Sequence, residues 1–198
     1  NPEHRGVGNR YYYRMTGNRV TRGPRLTKAD SEMHQPTDML QAVGNPVGPY
    51  KDVDMLSIML GPKRPVTEDT AAVKSGPNYP RPVQWVLPHA RKGYHDALFT
   101  APACDNETFE ERRLQEGTSC NYIVVKYGSN DEPPTLFIPD AKLHNDILPG
   151  INAASVAELA SSYGYKVVYQ EVKVKDLFDA NEVLVTGTAM MVRGVNRI

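Results

Sequence analysis

The hydrophobic pattern divides the chain into an irregular first part and a regular second part. Residues 1–37 combine scattered glycines, prolines and charges with poor periodicity, which predicts an extended basic arm containing one strand. The later pattern predicts strands at 39–43, 56–60, 97–100, 121–127, 136–138, 166–174 and 182–186, helices at 83–92 and 153–163, and a helical turn within 174–180. Strands that alternate with helices predict a mixed α/β domain over residues 38–198.

The clearest predicted helix covers residues 153–163. Its apolar side chains share one face, and they are Ala153, Val156, Ala157, Leu159 and Ala160. Gly164 follows as a C-terminal stop, and Asn152 before the helix is a residue type that caps helix N-termini. The pattern therefore predicts an amphipathic helix that packs this face against the core.

Composition excludes several classes of protein. Of 198 residues, 40% are hydrophobic, which is enough to build a core. The 23 basic residues balance 23 acidic ones, so the broad basic field of a nucleic-acid binder is absent and only the basic arm could make such contacts. No apolar run approaches the roughly 20 residues that span a bilayer. Cys104 and Cys120 lack metal-site spacing, so no metal is predicted and a reducing compartment is favoured.

Lys74 is the first candidate for covalent chemistry. It stands between small residues and the turn formed by Ser75, Gly76 and Pro77, which can present its amine to a cleft. Burial favours the neutral amine of a lysine, and a neutral amine can attack an aldehyde and then move a proton. An isolated lysine is usually a surface residue, so the hypothesis depends on the whole segment AAVKSGPNY.

Three further segments are suited to holding a charged cofactor. Glu116, in QEGTSCN, is a carboxylate that can keep a pyridine nitrogen protonated, and the alternative is a solvated loop acid. ILPGIN precedes the clearest helix, whose first N–H groups favour a phosphate, and the alternative is a helix capped by Asn152. VTGTA ends a predicted strand with a hydroxyl beside a glycine, which suits a second phosphate contact.

These four segments, in this order and spacing, resemble the cofactor-binding part of branched-chain amino-acid aminotransferases, fold-type IV enzymes that use pyridoxal 5'-phosphate. NPVGPY at 45–50 and YYRM at 12–15 extend the resemblance upstream. It implies a pseudo-barrel of strands with flanking helices and a Schiff base on Lys74. Two residues depart from the family pattern, because Pro77 replaces a glycine and Asn152 replaces a threonine. The resemblance assigns cofactor contacts to Tyr79, Glu116, Asn121, Ile151, Asn152 and Thr188, and substrate contacts to Arg14 and Ala189.

The implied reaction is transamination of a branched-chain amino acid with 2-oxoglutarate. D-amino-acid aminotransferases and aminodeoxychorismate lyases share the lysine and glutamate segments, and NPVGPY favours the branched-chain group. The resemblance also implies that the family's small N-terminal domain is missing and that residues 1–37 are its remnant. Family members continue beyond the strand that ends near Ile198, so the resemblance implies a shortened C-terminal end as well.

Three interpretations of the chain stay open. It is a fragment of an active enzyme, one piece of a split enzyme, or an inactive paralogue that serves as a structural subunit of a larger mitochondrial assembly. In the family the site lies between two domains and is completed by a dimer partner. The expected partners are therefore a small-molecule amino acid, a keto acid, and a second copy of the chain or a larger complex. The family and the basic start favour a mitochondrial or cytoplasmic location.

Overall fold

The chain falls into two compact units, Asn1–Tyr50 and Lys51–Ile198. The computed structural model describes residues 10–20, 37–47, 53–66, 70–129 and 132–198, with side chains of the first unit described only for 40–42. In the first unit, β1 (Arg10–Val20) pairs antiparallel with β2 (Thr37–Val47), which contains the strand predicted at 39–43. Strand β2 therefore pairs with the strand of the basic arm within the first unit. The division into an arm at 1–37 and a domain at 38–198 stays a prediction.

The second unit is built on one curled, mixed sheet of eight strands in the described residues. The strands are ordered β5-β4-β3-β10-β9-β6-β7-β8, with parallel pairs at β3–β4, β3–β10 and β7–β8 and antiparallel pairs elsewhere. This confirms the predicted mixed α/β class. The elements in chain order are β3 (Met55–Lys63), α1 (Pro80–Ala90), β4 (Asp96–Thr100), β5 (Leu114–Gly117), β6 (Asn121–Lys126), β7 (Thr135–Pro139), α2 (Ala141–His144), α3 (Ile151–Ser162), β8 (Lys166–Gln170), α4 (Val174–Phe178), β9 (Glu182–Gly187) and β10 (Met191–Arg197).

Helix α3 packs on the sheet through its small residues. The buried cluster contains Ile123, Val125, Leu136 and Ile138 from β6 and β7, and Ala153, Ala157 and Ala160 from α3. Alanines at this spacing let the helix backbone approach the sheet closely, and each buried aliphatic strand residue contributes about 1.5–3 kcal/mol. Leu159 is 57% exposed, so the prediction that it belongs to the packed face is wrong. The packed face of α3 is therefore narrower than the sequence pattern indicates.

Helix α1 covers the other part of the core, on β3 and β4. Val86 packs with Met59, Ala97 and Phe99, and the Trp85 ring meets the Phe99 ring edge-on at 5.6 Å. The helix begins at Pro80, three residues before the predicted start. Proline is accommodated there because the N–H groups of the first helical turn have no acceptor within the helix. It ends at Ala90, before the predicted Lys92.

One predicted strand in the last third of the chain is too long. Strand β8 ends at Gln170 and does not reach Val174. Val172 and Val174 are fully buried, but the Val172 carbonyl accepts a hydrogen bond from the Leu114 N–H and Val174 begins α4. Their alternating burial therefore reflects contact with the chain next to β5 and not continuation of β8. No helix among the described residues is long and apolar enough to cross a membrane.

Candidate active site

The loop that carries Lys74 is closed on itself by a buried asparagine. Asn78 is 3% exposed, and its Nδ2 donates to the carbonyl oxygens of Thr70 at 2.6 Å and Val73 at 3.0 Å. Its Oδ1 accepts a hydrogen bond from the Thr70 hydroxyl at 2.9 Å. Pro77 lies inside the 3₁₀ turn Gly76–Asn78, where a proline is accepted at the first positions. The proline that departs from the family pattern is thus compatible with the turn.

Lys74 and Tyr79 lie side by side on this loop. Lys74 Nζ lies 5.1 Å from the centroid of the Tyr79 ring, within the range of a cation–π contact. Tyr79 is half-buried and is the N-cap residue of α1. Lys74 is exposed within the described part of the chain, in contrast to the burial that the sequence argument assumed. Its amine is therefore accessible, and the loop rather than burial directs it.

Glu116 is a buried carboxylate with partners on both oxygens. It lies in β5 and is 4% exposed, so the alternative of a solvated loop acid is wrong. Its Oε1 lies 2.5 Å from Arg64 Nη1, and its Oε2 accepts the Leu148 N–H at 3.0 Å and Asn121 Nδ2 at 3.4 Å. Burial raises the pKa of Glu116 to about 7, against the lowering effects of Arg64, the Leu148 N–H and Lys74. The carboxylate is thus balanced between its protonated and ionised forms near neutral pH.

Asn121 joins the glutamate to the loop that precedes α3. Its Nδ2 also donates to the Leu148 carbonyl at 2.8 Å. The backbone of Leu148 is thus bonded to Glu116 through its N–H and to Asn121 through its carbonyl oxygen. A Cβ on Gly150 would overlap Asn121 Oδ1, so only glycine leaves room for this arrangement. A cavity of about 450 Å³ shares Asn121, Leu148 and Gly150 with the site, but Lys74 does not line it.

The first turn of α3 meets the end of β9. The helix begins at Ile151 with Gly150 as its N-cap and no side-chain capping bond, so the alternative of an Asn152 cap is wrong. Asn152 Nδ2 instead donates to the carbonyl of Gly187 at 3.1 Å. The uncapped N–H groups of such a turn favour an anion. Thr188 follows β9 and is exposed, and Ala189 beside it is half-buried.

Buried Asp96 holds the turn between β5 and β6. Its Oδ1 accepts the Ala97 N–H at 2.8 Å, the Thr118 N–H at 3.3 Å and the Thr118 hydroxyl at 2.6 Å. A Cβ on Gly187 would lie 3.6 Å from the Ser119 carbonyl oxygen, which places this turn directly against the end of β9. The β5–β6 turn and the segment VTGTA are therefore neighbours in the fold.

A second acid acts on Glu116, and its own partners stabilise its ionised form. Asp146 forms a bidentate ion pair with Arg113, at 3.1 and 2.7 Å. It also accepts a hydrogen bond from Gln115 Nε2 at 2.7 Å. Burial opposes ionisation of Asp146, yet the hydrogen bonds from Arg113 and Gln115 outweigh it and lower its pKa. The negative charge of Asp146 raises the pKa of Glu116.

The structure brings four of the nine predicted site residues into contact with one another, in two pairs. Glu116 and Asn121 both bond to the Leu148 backbone. Lys74 lies beside Tyr79, and its charge lowers the pKa of Glu116. Asn152 ties α3 to β9. Arg14 lies in β1 of the first unit, and its side chain is outside the described residues. Four further residues of the site were not predicted from the sequence, namely Arg64, Asn78, Asp96 and Asp146. Only Asn78 stands inside a segment that was recognised.

Comparison with known proteins identifies the family. Residues 14–198 match the family model described as amino-transferase class IV, so the chain belongs to that family. This confirms the predicted resemblance. Among curated relatives, branched-chain-amino-acid aminotransferase 6 of Arabidopsis thaliana is 34% identical over 157 residues, which are 78% of this chain and 40% of the relative. The chloroplastic branched-chain-amino-acid aminotransferase 2 of the same plant is 35% identical over 159 residues, 78% of this chain and 37% of the relative.

Solved structures show the same fold. The branched-chain aminotransferase of Thermoproteus uzoniensis with norvaline gives a TM-score of 0.72 at 19% identity, covering 95% of this chain and 57% of that one. The branched-chain amino acid aminotransferase of Thermobaculum terrenum in its PLP form gives 0.70 at 23% identity, covering 95% and 56%. The chain spans about 40% of the length of the curated relatives it matches.

Proposed function

We propose that this chain carries the cofactor-binding part of a pyridoxal-phosphate-dependent aminotransferase that acts on branched-chain amino acids. The observation that carries the proposal is the buried Glu116 carboxylate. The positive charge of Lys74 favours its ionised form, and Asn121 links it to the loop before α3. A buried carboxylate that lies within electrostatic range of an accessible amine suits a cofactor with both a ring nitrogen and an aldehyde. Membership of the class IV family supports the same function.

The residues present fit this cofactor. The first turn of α3 lacks a side-chain cap, and the Thr186 hydroxyl is buried without a hydrogen-bond partner in the part of the chain that the structure describes. Both features suit a phosphate, which accepts hydrogen bonds from backbone N–H and hydroxyl donors. When bound, the cofactor supplies an electron-withdrawing ring that stabilises negative charge on the substrate carbon. The proposed contacts are Tyr79 beside the ring, Glu116 at the ring nitrogen with Asn121 in support, and Ile151, Asn152 and Thr188 at the phosphate.

Lys74 is the proposed catalytic residue. Its Nζ would hold the cofactor at the aldehyde carbon. As a free amine close to the substrate, Nζ would take up the proton of the substrate α-carbon. Glu116, as a carboxylate, holds a proton on the ring nitrogen during this transfer. The second half of the reaction, with 2-oxoglutarate as amino acceptor, uses the same groups in the opposite direction.

The substrate side of the proposal rests on the named relatives and on the segment NPVGPY. Branched-chain aminotransferases of Arabidopsis thaliana match 78% of the chain. Arg14 and Ala189 are the proposed substrate contacts, with a second copy of the chain or a larger complex completing the site. Relatives include chloroplastic and mitochondrial proteins. The sequence has only two cysteines, without metal-site spacing, and we propose on that ground a reducing compartment, mitochondrial or cytoplasmic.

The test compares the 198-residue chain with Lys74→Ala and with Lys142→Ala, a matched change at another exposed lysine. Each protein is incubated with pyridoxal phosphate, dialysed, and examined by absorbance and by mass spectrometry after borohydride reduction. We expect a retained band and a reduced adduct on Lys74 in the wild type and in Lys142→Ala, and neither in Lys74→Ala. Leucine should remove the band. A wild-type spectrum identical to that of the free cofactor would refute the function for this chain.

A further inference from the structure

Arg64 connects two parts of the candidate site. It directly follows β3, and its side chain is 3% exposed. Its backbone N–H donates to Gln115 Oε1 at 3.0 Å, and its Nη1 lies 2.5 Å from Glu116 Oε1. The same Nη1 lies 3.5 Å from the carbonyl oxygen of Ala71, on the loop that carries Lys74. One arginine therefore contacts both the strand of the buried glutamate and the loop of the candidate catalytic lysine.

We propose that Arg64 is a positioning residue, whose guanidinium favours the ionised form of Glu116 and fixes the Lys74 loop against β5. The inference rests on the proposed function, because it assigns the task of Arg64 in the same site. It adds a residue that the local sequence pattern did not indicate, since Lys63, Arg64 and Pro65 form no recognisable motif.

Fold stability alone gives a weak reason for this contact. A buried ion pair loses the hydration of both groups, and an apolar pair of similar volume is often at least as stabilising. The Arg64 guanidinium is also incompletely satisfied, because its Nε is buried with no hydrogen-bond partner among residues 53–66, 70–129 and 132–198. A buried acid without a neighbouring cation takes up a proton. A buried ion pair is therefore expected where function needs the negative charge of the acid.

Several groups act on Glu116, and Arg64 touches it directly. The Lys74 charge favours the ionised carboxylate and the Asp146 charge opposes it. Asp146 is itself paired with Arg113. The groups that face Glu116 in the described residues are Arg64, Lys74, Asp146, the Leu148 N–H and the Asn121 amide. Removing Arg64 should therefore shift the balance on Glu116 towards the protonated acid.

The first measurement is the pKa of Glu116 in the cofactor-free chain, from NMR of isotope-labelled glutamate side chains, with Glu116→Gln used to assign the signal. We expect Arg64→Gln to raise that pKa by about one unit or more, because the carboxylate loses its cation in a buried site. Arg64→Lys should stay closer to the wild type, because it restores a positive charge. An unchanged or lowered pKa in Arg64→Gln would overturn the electrostatic part of the proposal.

The second measurement is the initial rate at which pyridoxal phosphate labels Lys74, trapped by borohydride and read by mass spectrometry. Arg64→Gln should lower this rate at least about tenfold, because the loop is no longer fixed against β5. A rate equal to that of the wild type would overturn the positioning part. If wild-type Lys74 is not labelled at all, the proposed function fails, and the pKa comparison alone still decides whether Arg64 controls Glu116.

A double variant separates this role from a general loss of folding. Arg64→Gln leaves a buried acid unpaired, whereas Arg64→Gln with Glu116→Gln leaves two neutral amides in its place. If Arg64→Gln fails to fold, circular dichroism should show that the double variant folds, because no uncompensated charge is buried. A double variant that is as unfolded as Arg64→Gln would contradict the proposed pairing.

Discussion

Glu116→Gln should change how the stability of the fold depends on pH. Burial raises the pKa of Glu116 from 4.5 to about 7 in the folded chain. The unfolded chain lacks this burial, so its glutamate titrates near the ordinary value. A difference of about 2.5 pKa units corresponds to about 3 kcal/mol, at about 1.4 kcal/mol per unit. The side chain is 4% exposed, so solvent screening does not remove this contribution.

The direction follows from where the proton binds more tightly. The folded chain holds the Glu116 proton more strongly than the unfolded chain does, so this group favours the folded state at low pH. That contribution is fully present below the unfolded pKa near 4.5 and is lost as pH rises through about 7. Glutamine does not titrate. The free energy of unfolding of the wild type should therefore fall by about 3 kcal/mol relative to Glu116→Gln across this interval.

Urea unfolding followed by circular dichroism measures the effect in both proteins at a series of pH values from about 4 to about 8. The informative quantity is the difference between wild type and Glu116→Gln at each pH, because groups present in both proteins largely cancel. Glu111 also titrates, but its pKa of about 2, lowered by Lys173 and Lys175, lies below the interval. A difference that is constant over the interval, or a wild type that gains stability with rising pH, would refute the reasoning.

Three further substitutions test how the site is held. Asp96→Ala should lower the free energy of unfolding by about 3–5 kcal/mol, measured by urea unfolding, because the buried Thr118 hydroxyl and N–H lose their acceptor. Asn78→Ala should lower it by about 1–3 kcal/mol and slow cofactor labelling of Lys74, measured by mass spectrometry, because the loop loses its closing hydrogen bonds. Gly150→Ala should cost about 1–3 kcal/mol in thermal or urea unfolding, because the added methyl overlaps the Asn121 amide.

Two of these substitutions have a matched control, and the third has a labelling outcome that would contradict it. Asp96→Asn keeps an acceptor oxygen and should be less destabilising than Asp96→Ala, and the reverse order would contradict the hydrogen-bond argument. Gly76→Ala is the match for Gly150→Ala, because no atom lies within 4 Å of its added Cβ. If both glycine variants lose the same stability, the overlap at Gly150 is not the cause. Labelling in Asn78→Ala at the wild-type rate would show that the loop needs no closing contact.

Local sequence patterns predicted most strands and helices and the segments that resemble the family. Elements that depend on contacts between distant residues were not predictable in this way. The strands at 97–100, 121–127 and 182–186 and the helix at 153–163 were predictable because each has an apolar period of its own, and all four are confirmed with small changes at their ends. Strand β5 has four buried residues, Leu114, Gln115, Glu116 and Gly117, and two of them are polar. A period of apolar residues cannot reveal such a strand. It is buried because Gln115 and Glu116 find partners from other parts of the chain.

The same distinction explains why some residues of the candidate site were missed. Lys74, Glu116 and Thr188 stand in short segments that resemble a family, so the sequence alone marks them. Arg64 pairs with Glu116, and Asp96 accepts a hydrogen bond from Thr118. Both partners are distant in the sequence and come close only in the folded chain. A single sequence carries no sign of such a pairing, because the charge of Arg64 could be balanced by any acid nearby.

Asn152 illustrates how a departure from a family pattern is interpreted once the contacts are known. From the sequence, replacement of the family's threonine suggests the loss of a hydroxyl that holds a phosphate. In the fold, the Asn152 amide donates to the Gly187 carbonyl and so ties α3 to β9. The N–H groups of the first turn of α3 carry no side-chain cap and do not depend on the side chain at 152. An anion at this turn can therefore be held by the backbone while the asparagine fixes the distance between the two elements that flank it.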